Sequence, residues 1–248
     1  MNTVPTISKP WLRLLRWAAR RSLRRHFTAV RISRRDRVTA AQSGPLIIYS
    51  NHSSWWDVLT GVLLSEKLMP HRNHYAPMDS GGPKRHPILG KVGVFGIHKN
   101  TPRGGTFMLR TGLRILSQGG VLWLTPQGRF ADVREQPLKF RRGIAALAAR
   151  VPGGCTLLPL ALEYPFWDER RPEVLIQFGA PIRVDGQSAD ELMPLLEALL
   201  LEAMEELRDK AIARDGSAFE VLEKGSRGTG SLFGFSQKLW AWLLHRLR

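Results

Sequence analysis

The sequence predicts a single α/β domain in which a central mixed sheet is flanked by helices and preceded by a basic amphipathic helix. Short apolar runs of strand length alternate with longer segments of helical periodicity, which favours a sheet with helices on its faces. The 248 residues, of which 43% are hydrophobic, suffice for one domain with its own core. Near the N-terminus, arginines alternate with leucine and tryptophan, and this pattern predicts the preceding helix.

The elements follow one another along the middle of the chain. Apolar runs predict strands at residues 45–50, 73–77, 92–98, 121–125, 156–163 and 173–178. Apolar side chains at helical spacing predict helices at residues 55–68, 104–118, 141–150 and 188–213. In folds of this class, ligands bind at the C-terminal ends of the strands. Residues just after the predicted strands are therefore the first candidates for a functional site.

Composition divides the chain into three parts. Residues 1–40 form a basic segment with a helix at 11–27, and residues 41–222 form the main folded domain. Residues 223–248 begin with a glycine-rich stretch, which predicts a flexible linker, and end with aromatic and leucine side chains at helical spacing. The helix predicted there would either lie on a membrane or dock on the core.

The net charge of +16 predicts an anionic partner. Residues 1–40 contribute +10 of this charge, from Lys9 and ten arginines against Asp36. Because tryptophan and leucine separate these arginines, an anionic membrane surface is preferred to nucleic acid, and an organellar transit peptide is the other alternative. No window of about 18 residues is uninterruptedly apolar, so we expect peripheral (monotopic) attachment rather than a transmembrane span. The single cysteine, Cys155, is typical of a reducing compartment, which favours the cytoplasmic face.

Residues 51–57, Asn-His-Ser-Ser-Trp-Trp-Asp, directly follow the first predicted strand. Side chains five apart on one helix do not share a face, so His52 and Asp57 meet only if the chain bends between them. Asp57 would then accept the Nδ1–H of His52 and leave Nε2 to take a proton from a hydroxyl. A structural alternative is a capping box, with Ser54 as N-cap and Asp57 at the third helical position. The two interpretations are compatible.

Other catalytic chemistries find less support. His71 and His74 are close in sequence, but no spacing completes a zinc set of three or four ligands, so we expect no metal. Ser53 and Ser54 lack the Gly-x-Ser-x-Gly elbow of a nucleophilic serine. A general base without an evident protein nucleophile suits acyl transfer to an alcohol.

Four blocks of sequence resemble, in order, those of the glycerolipid and lysophospholipid O-acyltransferase superfamily, over about residues 45–165. The blocks are residues 51–57 with the His-x4-Asp motif, 87–99, 126–130 and 158–161. The resemblance implies transfer of a fatty acyl group from acyl-CoA or acyl carrier protein to a lipid hydroxyl at the membrane surface, without a cofactor. It makes His52 the catalytic base and Asp57 its orienting partner. It implies substrate-binding roles for Asn51, Lys99, Gln127, Gly128, Arg129 and Pro159.

The chain departs from the family's pattern at positions that, according to the resemblance, surround the phosphate of the acceptor. Gln127 stands where an acid is usual and Phe130 where arginine is usual, and Lys99 replaces another arginine and its bidentate fork. The acceptor is then either a lipid without phosphate, or a lysophospholipid or 1-acylglycerol-3-phosphate. In the second case the phosphate contact would come from Lys84, Arg85, Arg103 or Arg129. The alternative function is an inactive lipid-binding protein on the same scaffold.

Overall fold

The computed structural model describes residues 4–41 and 43–225. Its strands are β1 (Ala29–Ser33), β2 (Leu46–Ser50), β3 (His74–Asp79), β4 (Val94–Ile97), β5 (Val121–Leu124), β6 (Cys155–Glu163), β7 (Val174–Phe178), β8 (Ile182–Val184) and β9 (Glu220–Lys224). Its α-helices are α1 (Lys9–His26), α2 (Asp36–Ala40), α3 (Trp56–Leu68), α4 (Gly81–Arg85), α5 (Pro102–Ser117), α6 (Gly143–Ala148) and α7 (Ala189–Ala213), with 3-10 turns at Pro87–Val92 and Gly216–Ala218.

The strands form one mixed sheet, as the sequence predicts, and this sheet has nine strands within the described residues. The order is β4-β3-β5-β2-β6-β7-β1-β9, and β8 pairs with β6. Strands β4, β3, β5, β2 and β6 are parallel to one another, whereas β7 and β8 run antiparallel to β6. Strand β2 therefore lies inside a parallel block, and its C-terminal end lies at the edge of the sheet where ligands bind in such folds.

Strand β2 is buried on both faces, which explains its uninterrupted apolar sequence. Ile47 and Tyr49 belong to the core on one side of the sheet, together with residues of α5, α6 and α7. Leu46 and Ile48 belong to the core on the other side, which also contains residues of α1 and α3. The alternation follows the period of two along a strand. The residues after Ser50 are thus delivered to the edge from a rigid, fully packed strand.

The predicted strands and helices inside the described residues are all present, with ends shifted by at most two residues. Strands β1, β8 and β9 were not predicted. Strand β1 carries Arg31 and strand β9 carries three charged residues, so neither shows a clean apolar pattern. Strands β1 and β9 form because they pair with neighbouring strands: β1 pairs with β7 and with β9. Arg31 of β1 also forms a salt bridge to the buried Glu173 at 3.1 Å.

The N-terminal helix α1 lies against the protein along its second half. Ala19 and Leu23 are buried, and Arg20 forms a salt bridge to Glu66 of α3 at 2.7 Å. The opposite side of α1 exposes Trp11, Leu14 and Trp17. None of the helices in the described ranges is long and apolar enough to cross a bilayer. The helix predicted within 231–248 lies outside the described residues.

Candidate active site

Asn51, the first residue after β2, ties the end of this strand to β6. Its side-chain amide donates to the carbonyl of Leu162 and accepts from the backbone N–H of the same residue, both at 2.9 Å. The side chain is buried, and both of its polar atoms are used in this way. The structure therefore gives Asn51 a positioning task, because it continues the β2–β6 pairing by one step and sets the point at which the chain leaves the sheet.

His52 and Asp57 meet across the bend that the sequence requires. Nδ1 of His52 lies 2.8 Å from Oδ2 of Asp57, which stands in the first turn of α3. Half of the predicted capping box is present, since the backbone N–H of Ser54 donates to the Asp57 carboxylate at 3.1 Å. The N-cap position itself is Trp55, one residue later than predicted, and the Ser54 hydroxyl accepts from the N–H of Trp56. The Asp57 carboxylate is thus both the partner of His52 and an acceptor at the start of the helix.

Tyr164 holds the second oxygen of Asp57. Its hydroxyl donates to Oδ1 at 2.6 Å, and Asp57 is only 7% exposed. Burial raises the pKa of Tyr164 well above its usual value, and the neighbouring Asp57 charge raises it further, so the hydroxyl keeps its proton. Sequence reasoning missed Tyr164, because it lies 107 positions from Asp57. Its only local signal is its place directly after the strand β6.

The Nε2 atom of the His52 ring is on the side of the ring away from Asp57. Since Nδ1 is engaged with Asp57, the ring nitrogen left for a substrate is Nε2, which has no hydrogen-bond partner among the described residues. The His52 side chain is 19% exposed, so a ligand can reach it. The ring of Phe130 covers one side, with the two ring centroids 4.3 Å apart. An aromatic side chain at the position of the family's arginine thus forms a wall beside the base.

The loop after β5 holds the backbone of His52 on both sides. The Gln127 side chain is buried and accepts from the His52 N–H at 3.1 Å. The N–H of Ala131 donates to the His52 carbonyl at 2.8 Å. A carboxylate at position 127 would accept the same bond, so the exchange of acid for amide preserves the placement of His52.

Two cations flank the turn at Gly128. Nζ of Lys99 donates to the Gly128 carbonyl at 3.2 Å, and Gly128 has a φ of +67°. A Cβ at Gly128 would lie 2.3 Å from Nε of Arg141, so only glycine allows this guanidinium to approach the turn. Arg141 donates to Asn100 Oδ1 at 2.6 Å. Sequence reasoning missed Arg141, because nothing in its local pattern separates it from the neighbouring Arg142.

Two of the predicted site residues are placed differently. Arg129 forms a salt bridge to Glu135, which raises the pKa of Arg129, so its charge is already paired on the surface. Pro159 lies in the middle of β6, opposite Tyr49 and three residues before Leu162. At about 3.3 Å per residue, Pro159 is about 10 Å from the end of the strand where His52 lies. Pro159 is buried, and its carbonyl accepts from the N–H of Gly179 at 2.9 Å.

One comparison with known proteins identifies a family. A family model described as Acyltransferase matches residues 29–163, which is more than half of the chain and includes β1 through β6. The matched range contains the His52–Asp57 pair and the loop at Gln127 and Gly128. A search of curated proteins found no match. No group of three or more potential ligands that would hold a metal ion occurs among the described residues.

Proposed function

We propose that this chain, which belongs to the acyltransferase family, moves a fatty acyl group from an acyl thioester to a hydroxyl of a lipid acceptor, with His52 as the general base. The observation that carries the proposal is the 2.8 Å contact between Nδ1 of His52 and a buried carboxylate. Asp57 accepts hydrogen bonds from Tyr164 and from the backbone of Ser54, so its carboxylate is fixed against Nδ1 of His52. This is the arrangement that prepares an imidazole to accept a proton at Nε2.

The reaction follows from this geometry. Nε2 of His52 takes the proton of the acceptor hydroxyl while its oxygen attacks the carbonyl carbon of the thioester. Asp57 stabilises the imidazolium and keeps the ring in the required tautomer. The tetrahedral intermediate then expels the thiolate, which takes the proton from Nε2. The products are an ester and a free thiol, and no covalent acyl-enzyme is needed.

The acceptor we favour carries a phosphate, as in a lysophospholipid or a 1-acylglycerol-3-phosphate. Lys99 and Arg141 both lie at the Gly128 turn, which follows the residue that holds His52. An ammonium and a guanidinium close to the base supply the charge that a phosphate requires. They take the place of the family's usual arginine, where Phe130 stands. A lipid acceptor without phosphate is the alternative.

We further propose that the protein works at the cytoplasmic face of an anionic membrane, attached through α1. Trp17 is 60% exposed and Leu14 is 49% exposed, whereas isolated globular proteins seldom expose several large apolar side chains on one helix. Exposed arginines accompany them on the same side, and the ring of Trp17 lies below the Arg21 guanidinium. An apolar face bordered by cations is typical of helices that lie in the lipid interface. The acyl donor, acyl-CoA or acyl carrier protein, would arrive from the aqueous side.

The direct test measures acyl transfer by the full-length protein. Labelled acyl-CoA and acyl carrier protein are offered with 1-acylglycerol-3-phosphate, lysophospholipids and monoacylglycerol in vesicles. Replacing His52→Ala should lower kcat/KM by about 10²–10⁴-fold, the usual contribution of a positioned base. The matched control is His86→Ala, at an exposed histidine of the same chain, which should retain full activity.

The panel of acceptors separates the remaining alternatives. Preference for phosphate-bearing acceptors supports the roles of Lys99 and Arg141, and preference for monoacylglycerol assigns the lipid without phosphate. Activity of a folded His52→Ala protein equal to that of the unaltered protein would disprove the mechanism. Absence of transfer with every donor and acceptor would favour the inactive lipid-binding protein.

A further inference from the structure

A cavity of about 850 Å³ lies between the N-terminal half of α1 and the loop that precedes β3. Asn73 lines it just before β3 begins, and Gln118 lines it shortly before β5 begins. His52 instead follows the end of β2, which is parallel to β5. The cavity and the candidate active site are thus at opposite edges of the sheet. A strand of five residues at about 3.3 Å each separates these edges by about 17 Å.

The lining of this cavity is strongly cationic. Five basic side chains contribute to it, namely Lys9, Arg13, Arg16, Arg72 and Arg114, and none of the described lining residues is Asp or Glu. Arg72 also donates to the backbone carbonyls of Gly44 and Gly119. The positive charge within the cavity therefore calls for an anion.

Arg16 supplies a second, independent indication of a ligand. Its Nε atom is buried and has no hydrogen-bond partner among the described residues. Buried donors in folded proteins almost always have a partner, and guanidinium groups pair preferentially with carboxylates and phosphates. Arg16 lines the cavity, and so do Lys9 and Arg13 from the same side of α1. An anion inside the cavity would therefore lie beside a guanidinium group for which no carboxylate partner occurs among the described residues.

Apolar residues form part of the remaining walls. Val4, Ile7 and Leu12 line the cavity beside the basic groups, so its lining is amphipathic. The same helix α1 exposes Leu14 and Trp17 on its other side. A helix is about 10–12 Å across, so the cavity lies within one helix diameter of the surface proposed to contact lipid. This combination suits a headgroup that carries phosphate and is attached to apolar chains.

We propose that this cavity binds the phosphate headgroup of an anionic phospholipid, at a site separate from acyl transfer at His52. The proposal rests on the membrane attachment through α1 that is part of the proposed function. The bound phosphate lies among Arg13, Arg16 and Lys9, and the glycerol and first methylene groups contact Val4, Ile7 and Leu12. When the lipid is bound, α1 and the loop before β3 hold its headgroup between them and select anionic lipids.

The test uses the full chain and a soluble lipid, dihexanoylphosphatidylglycerol, below its micelle concentration in calorimetric titrations. Replacing Arg13→Gln and Arg16→Gln together should raise its Kd at least tenfold. The matched control is Arg21→Gln with Arg25→Gln, which removes the same charge from the exposed side of α1 and should change Kd less than twofold. Arg13→Gln alone, at an exposed position, keeps the test valid if the double variant fails to fold, and is expected to weaken binding at least threefold.

Three results would overturn the proposal. The first is that both pairs of substitutions weaken binding equally, and the second is that the unaltered protein does not bind the lipid. The third is that CoA or inorganic phosphate displaces the lipid at equal concentration, because the natural ligand would then be a soluble phosphate. The titration contains no acyl donor and no vesicle, so it is independent of catalysis and of membrane attachment. His52→Ala should bind the lipid as the unaltered protein does.

Discussion

The backbone and side chain of His52 are held by two separate segments, the start of α3 and the loop after β5. Asp57 binds Nδ1, Gln127 binds the backbone N–H and Ala131 binds the carbonyl. The pairing with Asp57 was predictable, because both residues lie within one heptapeptide after a strand. The roles of Gln127 and Ala131 depend on where the loop after β5 lies. That position follows from the pairing of β5 with β2, which local sequence does not encode.

Tyr164 offers a test at the scale of single residues. Replacing Tyr164→Phe removes the hydroxyl that holds Oδ1 of Asp57, and hydrogen bonds to charged groups contribute about 1.5–3 kcal/mol. We expect kcat to fall about tenfold or more with KM little changed.

Tyr49→Phe is the matched control for this substitution. It deletes the same atom from a buried tyrosine whose hydroxyl donates to the Leu196 carbonyl and not to Asp57. An unchanged kcat in Tyr164→Phe, equal to that of Tyr49→Phe, would show that the Tyr164 hydroxyl does not act through the dyad.

At the scale of elements, apolar periodicity predicted the central strands and helices. The outer strands contain charged residues, which interrupt their apolar pattern, and were not predicted. Strand β2 is recognisable because both of its faces are buried. Strand β9 reads Glu-Val-Leu-Glu-Lys and gains its identity only from its antiparallel pairing with β1. The basic segment of residues 1–40 illustrates both cases. Its helix was predicted from composition, whereas strand β1 within it required partners that are distant in sequence.

Helix α1 carries a prediction at this scale. Replacing Leu14→Gln and Trp17→Gln together should reduce binding to vesicles that contain anionic lipid by at least tenfold, since burying one such side chain contributes about 1.5–3 kcal/mol. Sedimentation with vesicles measures the effect. Substitution is preferable to removing residues 1–30, because Leu23, Phe27 and Val30 belong to the core.

The control for the α1 substitutions removes similar apolar groups from another exposed surface. Leu195→Gln with Ile212→Gln alters α7, which packs on the other face of the sheet from α1 and α3, and should leave vesicle binding unchanged. Equal losses in both pairs, or none in the α1 pair, would exclude α1 as the attachment element.

At the scale of the whole molecule, a partly buried histidine couples the fold to pH. His74 accepts from the indole N–H of Trp123 at Nδ1 and lies 2.9 Å from the Met69 carbonyl at Nε2. The pKa of His74 is lowered from 6.5 to about 4, mainly by burial and in part by the charges of Arg16 and Arg72, while the hydrogen bond to the Met69 carbonyl opposes the shift. The neutral ring therefore joins β3, β5 and the end of α3 in the native state.

Acidification should destabilise the protein through His74. The folded pKa lies below the unfolded one, so the unfolded state binds more protons, and this contribution is complete above pH 6.5 and is lost as the pH falls toward 4. Between pH 7 and pH 5 the free energy of unfolding should fall by about 2 kcal/mol on this account. Denaturant titrations at both pH values measure it.

Two substitutions test the role of His74. The free energy of unfolding of His74→Gln should fall less between the two pH values, whereas that of His86→Gln, at an exposed position, should fall as in the unaltered protein. Equal falls in all three proteins would contradict the role of His74.

The sequence by itself determined the α/β class, the strands and helices with strong apolar periodicity, the His52–Asp57 pair and the basic N-terminal helix. Each of these depends on side chains that are close along the chain, where spacing translates directly into geometry. Only the tertiary structure decided that Tyr164 holds Asp57, that Gln127 holds His52, that Arg141 approaches Gly128, and that Pro159 lies away from the site. The basic cavity beside α1 was likewise visible only in the tertiary structure. These contacts join strands and loops far apart in sequence, and their positions follow from the order of strands in the sheet.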